Sequence, residues 1–108
     1  MSESVREITP EEFRSMVAGG MPPLLIDVRH PWEHTICRIE GDELIPLDQL
    51  PHRLGELPRD RSVAFYCHHG MRSLIAAQLA ARNGIEALSI AGGIALWAER
   101  IEPTMARY

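Results

Sequence analysis

Apolar residues gather along this chain in short runs, separated by turn-forming residues and by segments with a helical repeat. Leu24-Leu25-Ile26-Asp27-Val28 is nearly all apolar, the pattern of a strand inside a parallel sheet covered on both faces. Leu44-Ile45-Pro46, Ser62 to Tyr66 and Ala87 to Ile90 read as three further strands. Thr9-Pro10-Glu11-Glu12-Phe13 predicts a helix start, because Thr9 can cap, Pro10 suits the first turn and Glu12 completes a capping box. Phe13, Met16 and Val17 then fall on one face, and Gly19-Gly20 ends the helix before Pro22-Pro23 keeps the chain extended. Pro31 to Thr35 predicts a short helical turn. Leu47 to Leu54 predicts a short helix that buries Leu47, Leu50 and Leu54, although Pro51 would sit within it. Leu74 to Arg82 has strong helix propensity and stops at Asn83-Gly84, and Ile94 to Arg100 forms a last short helix after Gly92-Gly93.

Strand and helix alternate throughout, which predicts an α/β fold with a mainly parallel sheet and ligands at the carboxyl ends of its strands. With 108 residues and 45% hydrophobic content, a single domain over residues 1–108 is expected, with a core large enough to need no staples. The net charge of −4 comes from mixed signs, which speaks against a nucleic-acid surface. Two cysteines, Cys37 and Cys67, are too few for a secreted disulfide scaffold. Met1 to Glu7 carries Glu3, Arg6 and Glu7 and no apolar segment, so no secretory signal is expected, and no apolar run is long enough to span a bilayer. A soluble, cytoplasmic domain in which a free thiol persists follows as the expectation.

The candidate chemistry lies in Phe65-Tyr66-Cys67-His68-His69-Gly70-Met71-Arg72-Ser73, between a strand and a helix. Adjacent ligands such as Cys67, His68 and His69 rarely converge on one ion, and no second spaced pair supplies the rest of a zinc site, so no metal is expected. Gly70 stands where a dithiol motif would need its second cysteine. A nucleophile fits better. A cysteine at a strand end, just before a helix, meets backbone N–H groups and the positive end of the helix dipole, both of which favour thiolate. The same N–H groups can hold an anion or a developing negative charge. Gly70 permits the unusual dihedrals of such a loop, Arg72 adds a positive charge at its rim, and Ser73 can cap the helix or donate into the loop.

Cys67-His68-His69-Gly70-Met71-Arg72-Ser73 resembles the active-site loop of rhodanese-like sulfurtransferases, C-x-x-G-x-R-S. Leu25-Ile26-Asp27-Val28-Arg29, followed by Pro31, Glu33, Ile39, Gly41 and Ile45-Pro46, resembles the upstream signature of that family. Ala91-Gly92-Gly93-Ile94 and Trp97 resemble its closing segment, and the three matches come in the family's order from Ile8 to Trp97. The resemblance implies a rhodanese-like three-layer fold with a five-stranded, mainly parallel sheet between helices. It implies that Cys67 accepts a sulfane sulfur as a persulfide, with the amides of His68, His69, Gly70, Met71, Arg72 and Ser73 cradling the outer sulfur. It also implies that Asp27 and Arg29 are structural supports rather than catalysts. Cys37-Arg38 stands where family members commonly carry Gly-His. Arg38 can take over that histidine's hydrogen bonding, and Cys37 is read as a packed or idle thiol, the sharper alternative being a resolving cysteine for Cys67.

Loop length separates sulfur transfer from phosphate or arsenate chemistry. Only four residues separate Cys67 from Arg72, one fewer than a cysteine-x5-arginine phosphatase loop, which predicts a cradle narrow enough for one sulfur. The expected reaction moves a sulfane sulfur from thiosulfate, another small anionic donor or a protein persulfide to a thiol, cyanide or a sulfur-relay protein. No cofactor is implied. His68 and His69 are expected to shape the entrance rather than move protons. The alternative is a non-catalytic or sulfur-carrier binding module for a partner protein. Trp97 is expected in the core, Trp32 partly exposed near the active-site face, Gly92-Gly93 as a tight turn, and His30, His34 and His52 as ordinary surface or hydrogen-bonded residues.

Overall fold

The reciprocal capping box forms as its sequence demands: the Glu12 amide donates to Thr9 Oγ1 at 3.0 Å and the Thr9 amide to Glu12 Oε1 at 2.9 Å. In a computed structural model of the chain, which describes residues 5–108, this box opens α1 (Pro10–Ala18). Of the polar stretch Met1 to Glu7, the first four residues lie outside the described part. Preceding α1 is β1 (Val5–Ile8), and after it come β2 (Leu24–Asp27), α2 (Pro31–Ile36) and β3 (Glu43–Leu44). Then follow α3 (Leu50–Arg53), a 3-10 turn over Leu54–Glu56, β4 (Val63–Tyr66), α4 (Met71–Arg82), β5 (Ala87–Ile90) and α5 (Gly93–Arg100).

The five strands form one sheet in the order β1-β5-β4-β2-β3, and every pairing is parallel. Strand alternation sends its side chains into two separate cores. On one face, Ile26, Val63, Phe65 and Cys67 pack with Leu50 and with Ala76, Ala77 and Ala80 of α4. On the other, Leu25, Ala64, Tyr66, Leu88 and Ile90 pack with Phe13 of α1 and Ile94 and Trp97 of α5. The central strand β4 is buried at all four positions, so its run of apolar residues needs no polar side. The α/β class expected from the alternation of strand and helix, and the five-stranded, mainly parallel sheet implied by the family resemblance, are therefore the observed ones.

Several boundaries differ from the sequence reading, each for a physical reason. The fifth strand, β1, went unidentified from the residues because Arg6 and Glu7 break its apolar pattern. It lies at the edge of the sheet, where both can stay exposed while Ile8 enters the core. Pro51 does not interrupt a helix over Leu47 to Leu54 but lies in the first turn of a shorter one, where a missing N–H costs nothing. β3 is shorter than Leu44-Ile45-Pro46 and begins one residue earlier, at Glu43. The Ile45 and Leu47 amides still donate to the Asp27 and Val28 carbonyls, so Pro46, on the free edge of the sheet, breaks no bond to β2. Helix α4 begins three residues before Leu74, at Met71, immediately after the glycine of the loop. Val17 points outward, 47% exposed, whereas Phe13 and Met16 face the core as expected. No helix among the described residues is long and apolar enough to cross a membrane.

Phe65 is fully buried at the centre of β4 between α3 and α4. Phe65→Ala is expected to lower stability by about 3–5 kcal/mol, the cost of lost burial plus the cavity left behind, read as a shift in urea midpoint.

Candidate active site

Cys67 leaves the end of β4 almost wholly buried, 1% exposed, and the chain then turns through His68, His69 and Gly70 into α4. Two amides point at its sulfur. The Gly70 N–H donates to Sγ at 3.1 Å and the Ser73 N–H at 3.3 Å, while the Ser73 hydroxyl lies 3.5 Å away. Both amides belong to the first turn of α4 or its cap, where backbone donors have no partner inside the helix. Gly70 closes the turn at φ +109°, a conformation that side chains strongly disfavour. Ser73 is itself fixed, its hydroxyl lying 2.8 Å from that of buried Ser89 and 3.2 Å from the Gly70 carbonyl, where it donates. Of the amides expected to form a cradle, those of Gly70 and Ser73 meet the sulfur of the free thiol directly.

From behind, α5 holds the loop. Its Ile94 amide donates to the Cys67 carbonyl at 2.8 Å and its Ala95 amide to the His68 carbonyl at 3.0 Å. Gly92 and Gly93 both have positive φ, as a tight turn requires. Gly93 does more than turn: a Cβ there would collide with the carbonyls of Cys67 and His68. Sequence reasoning found the glycine pair but not that it seats the loop, since the seat depends on contact between distant segments.

Arg72 is not the free rim charge that the sequence suggested. Its guanidinium grips Glu33 of α2 in two parallel bonds, Nη1 to Oε1 at 2.7 Å and Nη2 to Oε2 at 2.8 Å. Glu33 is almost fully buried and also accepts from the His30 amide and the Tyr108 hydroxyl. The Arg72 guanidinium holds its carboxyl down to about 2, with Tyr108 and the His30 amide helping against the cost of burial. In the sequence, Glu33 was visible only as part of a family signature.

Asp27 and Arg29 form a fully buried pair below the site. Arg29 donates to both Asp27 oxygens, to the carbonyls of Glu33 and Cys37, and to the Tyr108 hydroxyl. Beside them, Tyr66 donates to Asp42 Oδ2 at 2.6 Å, and burial raises its phenol well above the ordinary range. His34 lies 2.9 Å from Asp27 Oδ2, and Arg38 lies 2.8 Å from Asp42 Oδ1, so both residues serve this buried acidic pair. Asp27, His34 and Asp42 could bring ligand atoms within 4.8 Å of one another. Those atoms already face the Arg29 and Arg38 guanidiniums and the Tyr66 hydroxyl, an arrangement that disfavours a further cation.

A row of rings crosses the face beside Cys67. His68 stacks on His69 at 4.0 Å and on Tyr108 at 4.0 Å, and the edge of Trp32 meets Tyr108 at 5.8 Å. Burial, together with the neighbouring His69, pushes the His68 imidazole below its usual range. Trp32 is 59% exposed and Trp97 is buried against Phe13, as expected for each. Cys37 is half-buried, with Sγ 4.0 Å from Arg29 Nη1, and both cysteines are free thiols. Tyr108 was not singled out from sequence, where nothing in the polar segment around it marks a long-range contact.

Gly93→Ala is expected to displace the loop, lowering the melting temperature and abolishing any sulfur adduct on Cys67 detected by mass. Glu33→Gln tests the clamp. A carboxyl held near 2 in the fold, against 4.5 for its ordinary value, stabilises the protein above pH 4.5 and loses that contribution as pH falls through 2. The variant is expected to be about 2–3 kcal/mol less stable at pH 7, allowing for solvent at Arg72, and the gap should close toward pH 2 in urea titrations.

The comparisons with known proteins agree with this architecture. The family model of the rhodanese-like domain matches residues 9–100. A probable adenylyltransferase/sulfurtransferase, MoeZ, from Mycobacterium tuberculosis is 39% identical over 104 residues, covering 94% of this chain. The chain spans only about a quarter of that relative, 26% of its length. A sulfurtransferase from Allochromatium vinosum is 34% identical over 103 residues, covering 94% of this chain and 96% of the relative. The crystal structure of a rhodanese-related protein from Thermoplasma volcanium superposes with a TM-score of 0.82 at 28% identity, covering 91% of this chain and 95% of that one. This chain belongs to the rhodanese-like domain family.

Proposed function

We propose that the chain is a sulfurtransferase that carries a sulfane sulfur as a persulfide on Cys67. The observation that supports this most is the convergence of the Gly70 and Ser73 amides on a buried sulfur at the start of a 12-residue helix. Such amides stabilise negative charge on sulfur without a counter-ion and need no reorganisation during the reaction. The family membership and the sulfurtransferase relative of similar length point the same way.

The reaction has two halves. The Cys67 thiolate attacks the outer sulfur of thiosulfate. A sulfur–sulfur bond forms to Cys67, the one within thiosulfate breaks, and sulfite leaves with the electron pair. An acceptor thiolate or cyanide then attacks the outer sulfur of the persulfide, and the Cys67 thiolate departs unchanged. Gly70 and Ser73 hold the charge on Cys67 in both halves, and the amides of His69, Met71 and Arg72 complete the cradle for the outer sulfur. His68 and His69 form the wall of the entrance, with no proton transfer required of them. Arg72 acts through its grip on Glu33, fixing the loop to α2. Asp27 and Arg29 support the site from below.

A role as sulfur carrier uses the same first half, with a partner protein as donor or acceptor. The near-complete burial of Cys67 favours a slender small-molecule donor, because a protein cysteine would have to reach into the loop.

Intact mass after incubation with thiosulfate is expected to rise by one sulfur atom, to fall back on addition of dithiothreitol, and not to rise in Cys67→Ser. Turnover of thiosulfate and cyanide to thiocyanate separates enzyme from carrier. An equal adduct on Cys67→Ser would refute the role of Cys67.

A further inference from the structure

Tyr108 stands outside the stretch that matches the rhodanese-like domain, residues 9–100, yet its side chain reaches into the candidate site. The segment after α5 is tied down on the way there. The Met105 amide donates to the Glu102 carbonyl at 2.9 Å, Met105 packs against the core shared by α1 and α5, and Arg107 Nη2 donates to the Ala98 carbonyl at 3.4 Å. The Tyr108 hydroxyl then accepts from Arg29 Nη1 at 2.9 Å and donates to Glu33 Oε2 at 2.7 Å. Its ring stacks on His68 with centroids 4.0 Å apart and planes 15° apart. Burial pushes the phenol up to about 12, against the pull of Arg29 and with the help of Glu33, so it keeps the proton that Glu33 accepts at neutral pH.

These contacts fall on the two ends of the loop that holds the sulfur. His68 is the first residue after Cys67, and Arg72 is the last before Ser73, whose amide meets Sγ at 3.3 Å. Tyr108 touches the first end directly, through the His68 ring. It reaches the second through Glu33, whose carboxylate it shares with the Arg72 guanidinium. Between the two ends lies Gly70, whose amide donates to Sγ at 3.1 Å. The α5 amides fix the His68 backbone from its carbonyl, and the Tyr108 ring fixes its side chain. Tyr108 meets Arg29, Glu33, His68 and Trp32, so its hold on the sulfur passes through the loop.

We propose that Tyr108 is a positioning residue for sulfur loading: it pins both ends of the loop and so keeps the Gly70 and Ser73 amides aimed at the Cys67 sulfur. In the sulfurtransferase reading, on which this inference rests, those amides hold negative charge on sulfur while one sulfur–sulfur bond forms and another breaks. Amides that must find their places again during the reaction lose part of that stabilisation. A loosened loop therefore slows the chemical step more than it weakens donor binding.

Two measurements on the whole chain test it. Loading of Cys67 from thiosulfate is followed by intact mass in single turnovers, well below the melting temperature. Tyr108→Phe keeps the ring on His68 and removes the bridge from Arg29 to Glu33, whereas Tyr108→Leu removes both. The maximal loading rate is expected to fall by about threefold in the first and about tenfold or more in the second, with the half-saturating thiosulfate concentration near that of wild type. Met16→Ala trims the core beside α1, outside these contacts, and is expected to lower the melting temperature while loading at the wild-type rate. A Tyr108→Leu variant that loads as fast as wild type, or an equal slowing in Met16→Ala, overturns the proposal. The second measurement needs no sulfur chemistry. Amide hydrogen exchange at Gly70 and Ser73 is expected to speed up in Tyr108→Leu while the amides of β4 keep their wild-type rates. Unchanged exchange at both positions overturns the proposal. If this response is present but wild-type Cys67 loads from neither thiosulfate nor a persulfide donor, the sulfurtransferase reading fails and the hold of Tyr108 on the loop stands.

Discussion

The guanidinium of Arg29 is the interaction on which the carboxyl end of this sheet depends. It is fully buried, a position that arginine tolerates only when paired. All five of its N–H donors are used: two on the Asp27 carboxylate, one each on the carbonyls of Glu33 and Cys37, and one on the Tyr108 hydroxyl. These acceptors come from the end of β2, from α2 and the chain just after it, and from the segment beyond α5. One planar group thus fixes three separate pieces of chain around the end of the sheet. Lysine, with a single nitrogen and three donors, could not reproduce that fork. Desolvating the charge costs several kcal/mol, which the complete set of bonds offsets, so removing any single acceptor leaves a buried donor unpaired.

Above this anchor the positive charges are almost all spent inside the protein. Arg72, the one cation adjacent to the loop in sequence, is turned toward Glu33. What remains for the sulfur of Cys67 is backbone: two amides from the start of α4, with α5 holding the loop's carbonyls from the opposite side. Backbone dipoles fixed by helix starts cannot swing away or be neutralised by an incoming ion. They suit a site that must hold a small charge at one atom and release it when the sulfur moves on. The clamp also makes the loop rigid, because Arg72 belongs to α4 and Glu33 to α2.

How much of this could be read from the sequence depended on range. Local grammar was fully legible: the capping box of Thr9 and Glu12, the apolar runs of β2, β4 and β5, and the glycine at the turn into α4. Edge strand β1 was not, because its exposed Arg6 and Glu7 mask an apolar pattern of only two residues. Pro51 misled on α3, since its effect depends on which turn of the helix it occupies. For the candidate site, the sequence singled out the loop residues together with Asp27 and Arg29. The partner of Arg72, the seat made by Gly93 and the reach of Tyr108 were not found, because each is a contact between segments far apart in the chain. Resemblance to a family supplied Glu33 and Gly93 as letters in a signature, without the physical reason for either.

One strand shows why the alternation of its side chains matters more than their identity. In β4, Val63 and Phe65 face α3 and α4, and Ala64 and Tyr66 face α1 and α5. The next residue, Cys67, continues the first set and so arrives on the side of α4, at the helix start whose amides it meets. Tyr66 arrives on the other side, where its hydroxyl donates to Asp42 and accepts from the Ile39 amide. A slip of one residue in register would exchange the two, presenting a phenol to the α4 amides and a thiol to the buried carboxylates. The register is held by the parallel pairing of Leu24 to Asp27 with Val63 to Tyr66, and of Val63 to Phe65 with Ala87 to Ser89. Ser89 in that last pairing lies within 2.8 Å of Ser73 beside the sulfur, so the ladder that sets the register also delivers a polar partner to the loop. Fold and site are therefore specified together, by the same alternation that fills the two cores.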